Sequence, residues 1–385
     1  MTLAKFRIPG GIQADRTDYS TGPFWKNGNR VRFQQGQPEP IGGFETHSEY
    51  DATYGTPSKS KPWRDLSDNS LMAVGTEQFL YIVKNGVMTD ITPVRATSSN
   101  QNNCFTTANT SANVSILDSS HLALVGDWIS IASAGAVGGI TLLGLYQVVS
   151  VTDADNYVVT HSAAASSTAT GGGGATDIEY LLATGDAAPT QGLGWGADTW
   201  GIGTWGTIRT TTNITLEAAL WSFDLWGEDL IACRRNGLLY TWDASAGVGT
   251  RAAVISNAPI TNKFVMVSSP DRHLVAFGAH DGSNSDPLLI AWATQESLTT
   301  WAPSATNTAG NQRLPIGDTL IAKVQTREQT LVWTNEALFG MSFTGPPFIF
   351  TFRTLSTGSA PIGQNAALDV DGVVYWMSSD NFHVY

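Results

Sequence analysis

The stretch that decides the fold is S-L-M-A-V-G-T-E-Q-F-L-Y-I-V-K-N-G-V-M-T-D-I-T-P, residues 70–93. Residues 79–83 form a short apolar run rich in β-branched and aromatic side chains, which is typical of a strand. Asn85-Gly86 follows this run, and Asn-Gly next to apolar runs is a strong hairpin signal because both residues tolerate positive φ. A second strand is predicted to end near Pro93. The stretch therefore predicts an antiparallel hairpin.

The same unit, an apolar strand followed by a turn and a second strand, recurs along the chain. Its further copies lie at residues 229–243, 273–278 with 288–293, 319–343 and 365–385. Asn236-Gly237 and Asp371-Gly372 mark two of the turns. Hairpins that recur roughly every 35 to 50 residues, with no amphipathic helix between them, predict an all-β protein with a β-propeller-like body. A series of β-sandwiches is the alternative.

Residues 98–175 break this pattern. The segment opens with a polar Ser/Asn/Thr run and closes with an Ala/Ser/Thr run and four glycines, and short strand patterns such as G-D-W-I-S-I lie between. Such a segment predicts a small inserted β-sandwich or barrel domain on flexible stems. Residues 1–97 would then hold the N-terminal strands and the first propeller hairpin, and residues 176–385 the remaining blades. The last blade stops inside a strand pattern, so we expect the chain to continue; closure by N-terminal strands is the alternative.

Residues 24–45 near the N-terminus predict a turn, a strand, a second turn and a second strand. Val31 and Phe33 would share one face of the first strand, since side chains alternate along a strand. Arg30 and Arg32 lie on the same strand and are our candidates for contact with a partner. The alternative is an ordinary exposed strand face.

Composition excludes several classes of protein. The chain has 385 residues, of which 42% are hydrophobic and 14% charged, so it can bury a sizeable core. Its net charge is −12 and it has no block of Lys or Arg, which argues against a nucleic-acid clamp or sequence reader. Two cysteines are too few for a disulfide framework. No apolar run reaches the roughly 20 residues that a membrane-spanning helix needs.

The run G-W-G-A-D-T-W-G-I-G-T-W-G, residues 194–206, spaces three tryptophans five residues apart. This spacing fits neither a helix nor a strand, and a glycine after each ring predicts a folded loop. The rings of Trp195, Trp200 and Trp205 could pack on the propeller, bury against a neighbouring subunit or stack on sugars. Packing or a subunit contact is favoured, because exposed aromatic patches are unfavourable unless covered.

Several stretches together resemble the tail nozzle or tail-hub proteins of short-tailed double-stranded DNA bacteriophages. They are G-G-I-Q-A-D-R-T-D-Y, W-K-N-G-N-R-V-R-F-Q-Q-G-Q-P-E-P-I-G-G-F, H-L-A-L-V-G-D-W-I-S-I with G-L-Y-Q-V-V-S-V, the Trp-Gly run, and L-V-W-T-N-E-A-L-F-G-M-S-F followed by G-S-A-P-I-G-Q-N-A-A. The similarity touches most of the chain but is diffuse.

The resemblance implies a structural virion protein, made in the host cytoplasm and located in the tail. It implies β-propellers in a homo-oligomeric ring, taken as a hexamer, below the portal and adaptor proteins and in contact with tail fibre or spike proteins. Double-stranded DNA would pass through during ejection without specific binding. The resemblance gives no catalytic, cofactor-binding or metal-binding residues to carry over, so we expect a protein that is not an enzyme.

The alternative function is a carbohydrate-binding or carbohydrate-degrading β-propeller that recognises a host glycan. F-R-I-P at residues 6–9 occurs in sialidases, where the arginine holds a carboxylate, but the accompanying Ser-x-Asp-x-Gly-x-x-Trp turns lack their glycine here, so a terminal arm is favoured for Arg7. Asp224, Glu228 and Asp229 could include a glycosidase pair, although turn residues between blades are favoured. The six histidines, including His121 and His161, have no metal-ligand spacing.

Overall fold

The computed structural model describes residues 9–15, 17, 19–20, 24–43, 55–172, 175–182, 220–269, 271–280 and 286–385. Within these ranges every regular element is a β-strand. The chain forms two compact units, Met1–Glu49 and Tyr50–Tyr385. The predicted all-β fold, with a propeller-like body and an inserted small β domain, is confirmed. The predicted domain boundaries stay predictions.

The first unit contains one antiparallel pair, β1 (Val31–Gln34) and β2 (Gln37–Pro40). Gln35 and Gly36 both have positive φ, 50° and 78°, which is the backbone of a tight two-residue hairpin turn. The predicted shared face of Val31 and Phe33 is confirmed, since both are half-buried while Arg32 between them is exposed.

Blade 1 is the hairpin of residues 70–93 with one strand added at each side. Its four antiparallel strands lie in chain order: β3 (Pro57–Arg64), β4 (Ser70–Thr76), β5 (Leu80–Lys84) and β6 (Val87–Asp90). Asn85 and Gly86 have φ of 53° and 79°, which confirms the predicted turn. Alternate residues of β4 and β5 face opposite sides of the sheet, and both sides are apolar. Blade 1 is therefore covered on both faces.

The inserted segment folds as one antiparallel sheet of eight strands, curled into a half-barrel. The strands are β7 (Val94–Gln101), β8 (Phe105–Thr107), β9 (Asn113–Leu117), β10 (Trp128–Ala132), β11 (Gly144–Val151), β12 (Asn156–Thr160), β13 (Ala169–Gly171) and β14 (Thr176–Leu181). Their spatial order is β13-β8-β9-β12-β11-β10-β14-β7. The inside of the curl holds its own apolar core, which includes Phe105, Ile129 and Tyr157.

The polar run that was predicted as a flexible stem is a strand. β7 pairs with β14 from Val94 opposite Leu181 to Gln101 opposite Thr176. The backbone groups of the Ser/Thr/Asn run are therefore satisfied by a ladder, which a composition-based reading does not reveal. Arg251 strengthens the junction, because its guanidinium contacts Asp90 Oδ2 at 2.8 Å and Glu179 Oε2 at 3.3 Å.

Four further blades follow. Blade 2 is β15 (Trp221–Trp226), β16 (Asp229–Arg234), β17 (Leu239–Trp242) and β18 (Ala253–Val254); blade 3 is β19 (Phe264–Val267), β20 (Leu274–Phe277), β21 (Leu289–Trp292) and β22 (Gly310–Arg313). Blade 4 is β23 (Leu320–Gln325), β24 (Thr330–Thr334), β25 (Ala337–Phe343) and β26 (Phe350–Thr357), and blade 5 is β27 (Ala367–Val370), β28 (Val373–Met377) and β29 (Phe382–Val384). Strands are thus found at each predicted hairpin.

Each blade packs face to face on the next through a separate apolar cluster. Blades 1 and 2 share the cluster of Leu71, Ile82 and Trp221, and blades 4 and 5 share that of Trp333, Val374 and Trp376. Blades 2 and 3, and blades 3 and 4, are joined in the same way. The other face of blade 1 packs on the inserted domain. The first strands of blades 1 and 2, of blades 2 and 3 and of blades 4 and 5 contact each other, which places the first strands at the centre of the propeller.

Blade 5 differs from the other blades because one of its faces is not covered by any described residue. Ala367, Val374 and Trp376 face blade 4, and the alternate residues face outward. Those outward side chains are exposed and mostly large and apolar: Leu368 (65%), Val370 (47%), Val373 (37%), Tyr375 (52%), Met377 (38%), Phe382 (84%) and Val384 (62%). We call this surface the open face of blade 5.

Candidate functional site

The centre of the propeller holds a cluster of charged side chains, which we call the central lysine cluster. Lys59 and Lys61 lie on β3 of blade 1, two residues apart and therefore on the same side of the strand. Lys323 lies on β23 of blade 4, within electrostatic reach of both. All three side chains are half-buried. The first strand is the innermost of each blade, so these residues meet at the centre although they are distant in sequence.

The hydrogen bonds of this centre link four of the five blades. The Lys61 ammonium lies 3.5 Å from Asp224 Oδ1 on β15, and Asp224 Oδ2 accepts a hydrogen bond of 2.9 Å from the Val267 N–H on β19. Lys59 Nζ donates to Asn365 Oδ1, just before β27, at 2.9 Å. This last bond joins blade 5 to blade 1 across the centre.

The electrostatics of the cluster are unfavourable for positive charge. Burial, and secondly the neighbouring Lys61, lower the pKa of Lys59. Burial also lowers the pKa of Lys323. The negative charge of Asp224 raises this pKa and so partly opposes burial, whereas Lys61 and Lys59 lower it further. Three ammonium groups therefore share one carboxylate. The cluster is positive in a chain whose net charge is −12.

The three predicted carboxylates do not form a pair over a common space. Asp224 points to the centre and is held by Lys61 and by two backbone N–H groups. Glu228 Oε2 accepts from the Leu66 N–H at 2.9 Å, and Asp229 Oδ1 accepts from the Ala244 N–H at 3.0 Å. Burial raises the pKa of Asp229. Glu228 and Asp229 thus each order a loop, which is the turn-residue role that the sequence favoured, whereas Asp224 lies within β15 and links this strand to β3 and β19.

The histidines are also used in local structure. His121 Nδ1 accepts from the Ala123 N–H at 2.8 Å, and His161 Nδ1 lies 3.0 Å from the Ala163 nitrogen. His273, for which no special role was predicted, is fully buried and lies between Asp271 Oδ2 at 2.5 Å and Thr308 Oγ1 at 3.0 Å. The order Asp-His-Thr is that of a nucleophilic triad. No substrate can reach a fully buried imidazole, so this set stabilises blade 3.

The described residues contain neither a metal-binding cluster nor a membrane-spanning helix. Across the described ranges, no group of three His, Cys, Asp or Glu side chains could hold a metal ion. Those ranges contain no helix long and apolar enough to cross a bilayer.

The predicted contact residues have mixed outcomes. Arg30 and Arg32 are exposed in the first unit, and Arg32 Nη2 lies 3.3 Å from Glu39 Oε2 on the paired strand. Their predicted partner contact stays a prediction. Trp195, Trp200 and Trp205, together with Arg7, lie outside the described residues.

Sequence reasoning missed two features. The central lysine cluster is formed by strands that lie more than 200 residues apart, so no local motif could show it. The open face of blade 5 was visible as a strict alternation in A-L-D-V and V-V-Y-W-M, but alternation does not tell which of two apolar faces is covered.

No protein-family model and no curated protein matches the chain. Among solved structures the chain is similar to the phage phi92 endosialidase, with a TM-score of 0.29 and 12% sequence identity. The aligned part covers 88% of this chain and 55% of the endosialidase chain, so the chain matches about half the length of that protein.

Proposed function

We propose that the chain is a structural, non-enzymatic component of the tail of a short-tailed double-stranded DNA bacteriophage. In this proposal it is a tail nozzle or hub protein that forms part of the DNA ejection channel below the portal and adaptor. Two kinds of support are independent of each other. One is the resemblance of the N-terminal, inserted and blade 4 stretches to such proteins, and the other is the surface of the molecule.

The observation that carries the proposal is the open face of blade 5. A soluble monomer rarely exposes a large contiguous apolar patch, because that surface is more stable when removed from water. Each of the other blade faces that meet in the stack is covered by a neighbouring sheet. A propeller with one such face uncovered is suited to a larger assembly. We propose that a second copy of the chain covers it in a closed ring; a continuation of the same chain beyond Tyr385, which the sequence leads us to expect, is the alternative cover.

The carboxylates favour the structural function over the glycan-degrading alternative. A glycosidase needs two carboxyl groups that face one substrate across a gap of about 5–10 Å. Asp224, Glu228 and Asp229 instead accept hydrogen bonds from backbone N–H groups in three different places: Val267 on β19, and Leu66 and Ala244 in two separate loops. These hydrogen bonds support a structural role for the three carboxylates, which is to hold blades and loops together.

The proposed position in the virion implies which molecules the chain would contact. The ring would contact portal-adaptor proteins and tail fibre or spike proteins, and duplex DNA would pass through it without specific binding. The acidic net charge of each copy supports passage without adhesion, since phosphates are repelled by a negative wall.

The experiment that tests this is the oligomeric state of the purified chain, measured by native mass spectrometry and light scattering. We expect a ring, and we expect Leu368→Glu with Phe382→Glu to shift it to monomers, because two charges on the open face oppose its burial. Val87→Glu is the matched control, since Val87 is exposed on the outermost strand of blade 1, and it should leave the ring intact.

Two results would contradict the proposal. One is a wild-type chain that is monomeric at all concentrations. The other is sugar release from bacterial surface polysaccharide that Asp224→Asn abolishes while the variant keeps its wild-type melting temperature, Tm. That second result would favour the carbohydrate-active alternative.

A further inference from the structure

The central lysine cluster has more hydrogen-bond donors than the protein supplies acceptors for. Each ammonium group carries three N–H donors. Lys59 is bonded to the neutral amide of Asn365, and Lys61 reaches Asp224 only at 3.5 Å. Among the residues that the structure describes, Lys323 has electrostatic neighbours but no hydrogen-bond acceptor. Most of the nine donors therefore remain available.

The single carboxylate cannot neutralise this charge. Asp224 already accepts from the N–H groups of Val267 at 2.9 Å and Leu225 at 3.1 Å, so its lone pairs are largely used. The first strand of blade 3 has no titratable side chain, and Asp369 on that of blade 5 is not among the charged groups that act on Lys59 or Lys323. Counting the coupled groups, three positive charges and one negative charge leave a net charge of +2.

We propose that Lys59, Lys61 and Lys323 form a binding site for a small oxyanion, of the carboxylate, phosphate or sulfate type. Such a group supplies several acceptor oxygens and a negative charge, and ammonium groups bond both strongly. The half-buried position strengthens the attraction relative to bulk water. Burial is the main cause of the lowered pKa values of Lys59 and Lys323, and the neighbouring lysines lower them further; a bound anion would oppose this second effect.

The ligand is small rather than a polyanion. The chain as a whole carries −12, so a nucleic acid would be repelled before it reached three lysines at the centre. A single oxyanion, free or attached to a sugar, carries too little charge to be excluded in this way. This inference does not rest on the proposed tail function, and either can fail without the other.

The test measures the Tm of the whole chain in sodium phosphate, sodium sulfate and sodium glucuronate, against sodium chloride at matched ionic strength. A ligand that binds only the folded state raises Tm in a saturable way. We expect a rise of at least about 3 °C over chloride at saturation. A response to glucuronate at much lower concentration than to phosphate or sulfate would identify an acidic sugar as the source, and the reverse order would identify a free inorganic anion.

Variants show where the anion binds. Lys323→Met removes one charge and keeps the apolar stem, so the variant should fold, have a Tm at least equal to that of the wild type in chloride, and lose most of the anion response. Lys84→Met is the matched control, because Lys84 lies on the third strand of blade 1, and it should respond like the wild type. Isothermal titration of the wild-type chain with phosphate gives a readout that needs no variant.

The proposal is overturned if phosphate, sulfate and glucuronate give the same Tm as chloride and titration shows no binding. It is also overturned if Lys323→Met and Lys59→Met, both folded, respond to the anions as the wild type does. In either case the three lysines are solvated side chains at the centre of the propeller.

Discussion

At the scale of single residues, the inserted domain depends on a buried polar chain in its core. Tyr180 Oη donates to Asp118 Oδ2 at 2.5 Å, and the Tyr157 hydroxyl lies 3.0 Å from that of Tyr180. Burial raises the pKa of both tyrosines, so they stay protonated and can donate. The carboxylate of Asp118 is therefore tolerated in an apolar core because a hydroxyl is aimed at it.

We predict that Tyr180→Phe lowers the free energy of unfolding by about 1–3 kcal/mol, since it leaves a buried acceptor without its donor. Urea denaturation followed by circular dichroism measures this. Tyr19→Phe is the control, because Tyr19 is fully exposed and should change stability by less than about 0.5 kcal/mol. Equal effects of the two substitutions would show that the hydrogen bond to Asp118 contributes nothing.

The two cysteines report on two parts of the molecule. Cys104 is buried in the inserted domain, where desolvation raises the pKa of its thiol to about 11, and Cys233 is buried in blade 2, where burial also raises the pKa. We predict that neither thiol reacts with a disulfide reagent at pH 8 until urea opens its surroundings, because only the thiolate attacks. Fast labelling of either cysteine in the native state would contradict this.

Because the pKa of the Cys104 thiol is raised on folding, the free energy of unfolding depends on pH. A thiol whose pKa is raised from 9.0 to about 11 by folding contributes stability that is fully present below pH 9. This contribution is lost as pH rises through about 11. We expect the unfolding free energy of Cys104→Ala to fall less steeply than that of the wild type over this interval, measured by urea titration at each pH.

At the scale of elements, blade interfaces depend on close approach of rings to backbone. Gly75 of blade 1 lies directly against the ring of Trp221 in blade 2, and a Cβ atom there would overlap the ring. The indole N–H of Trp221 also donates to the Thr76 carbonyl at 2.6 Å, which fixes the ring in place. The first interface of the propeller therefore requires glycine at this position.

We predict that Gly75→Ala lowers Tm by several degrees, because overpacking a core costs about 1–3 kcal/mol. Differential scanning calorimetry measures the change. The control is Gly249→Ala, at a loop position whose added Cβ would meet open space. A Tm for Gly75→Ala that equals that of the control would mean that the two blades shift apart without cost.

Sequence alone predicted the elements that are fixed locally. The Asn85-Gly86 and Asp371-Gly372 turns were readable because two adjacent residues determine a positive-φ turn. The pairing of β7 with β14 was not readable, since Ser, Thr and Asn are common to strands and linkers alike. The central lysine cluster depends on how blades 1 and 4 meet, and no local pattern encodes that.

At the scale of the whole molecule, charge and apolar surface are separated. The net charge is −12, whereas the open face of blade 5 is apolar and the centre is positive. We predict no stable complex with duplex DNA at about 0.15 M salt, because a protein needs several phosphate contacts to hold DNA under these conditions. An electrophoretic mobility shift assay tests this, and nanomolar binding would contradict passage without adhesion.

The pairing of Val94 with Leu181 has a consequence for how this chain can vary. The inserted domain leaves and rejoins blade 1 at two points that lie side by side, so the propeller meets it as one long loop between β6 and the segment that leads to blade 2. A replacement module of different size could occupy the same place without changing the path of the blades, provided that it covers Val74, Phe79, Tyr81 and Val83. The inserted domain is thus a module that can be exchanged while the propeller stays unchanged. The four apolar side chains of blade 1 are the surface that any such module must cover.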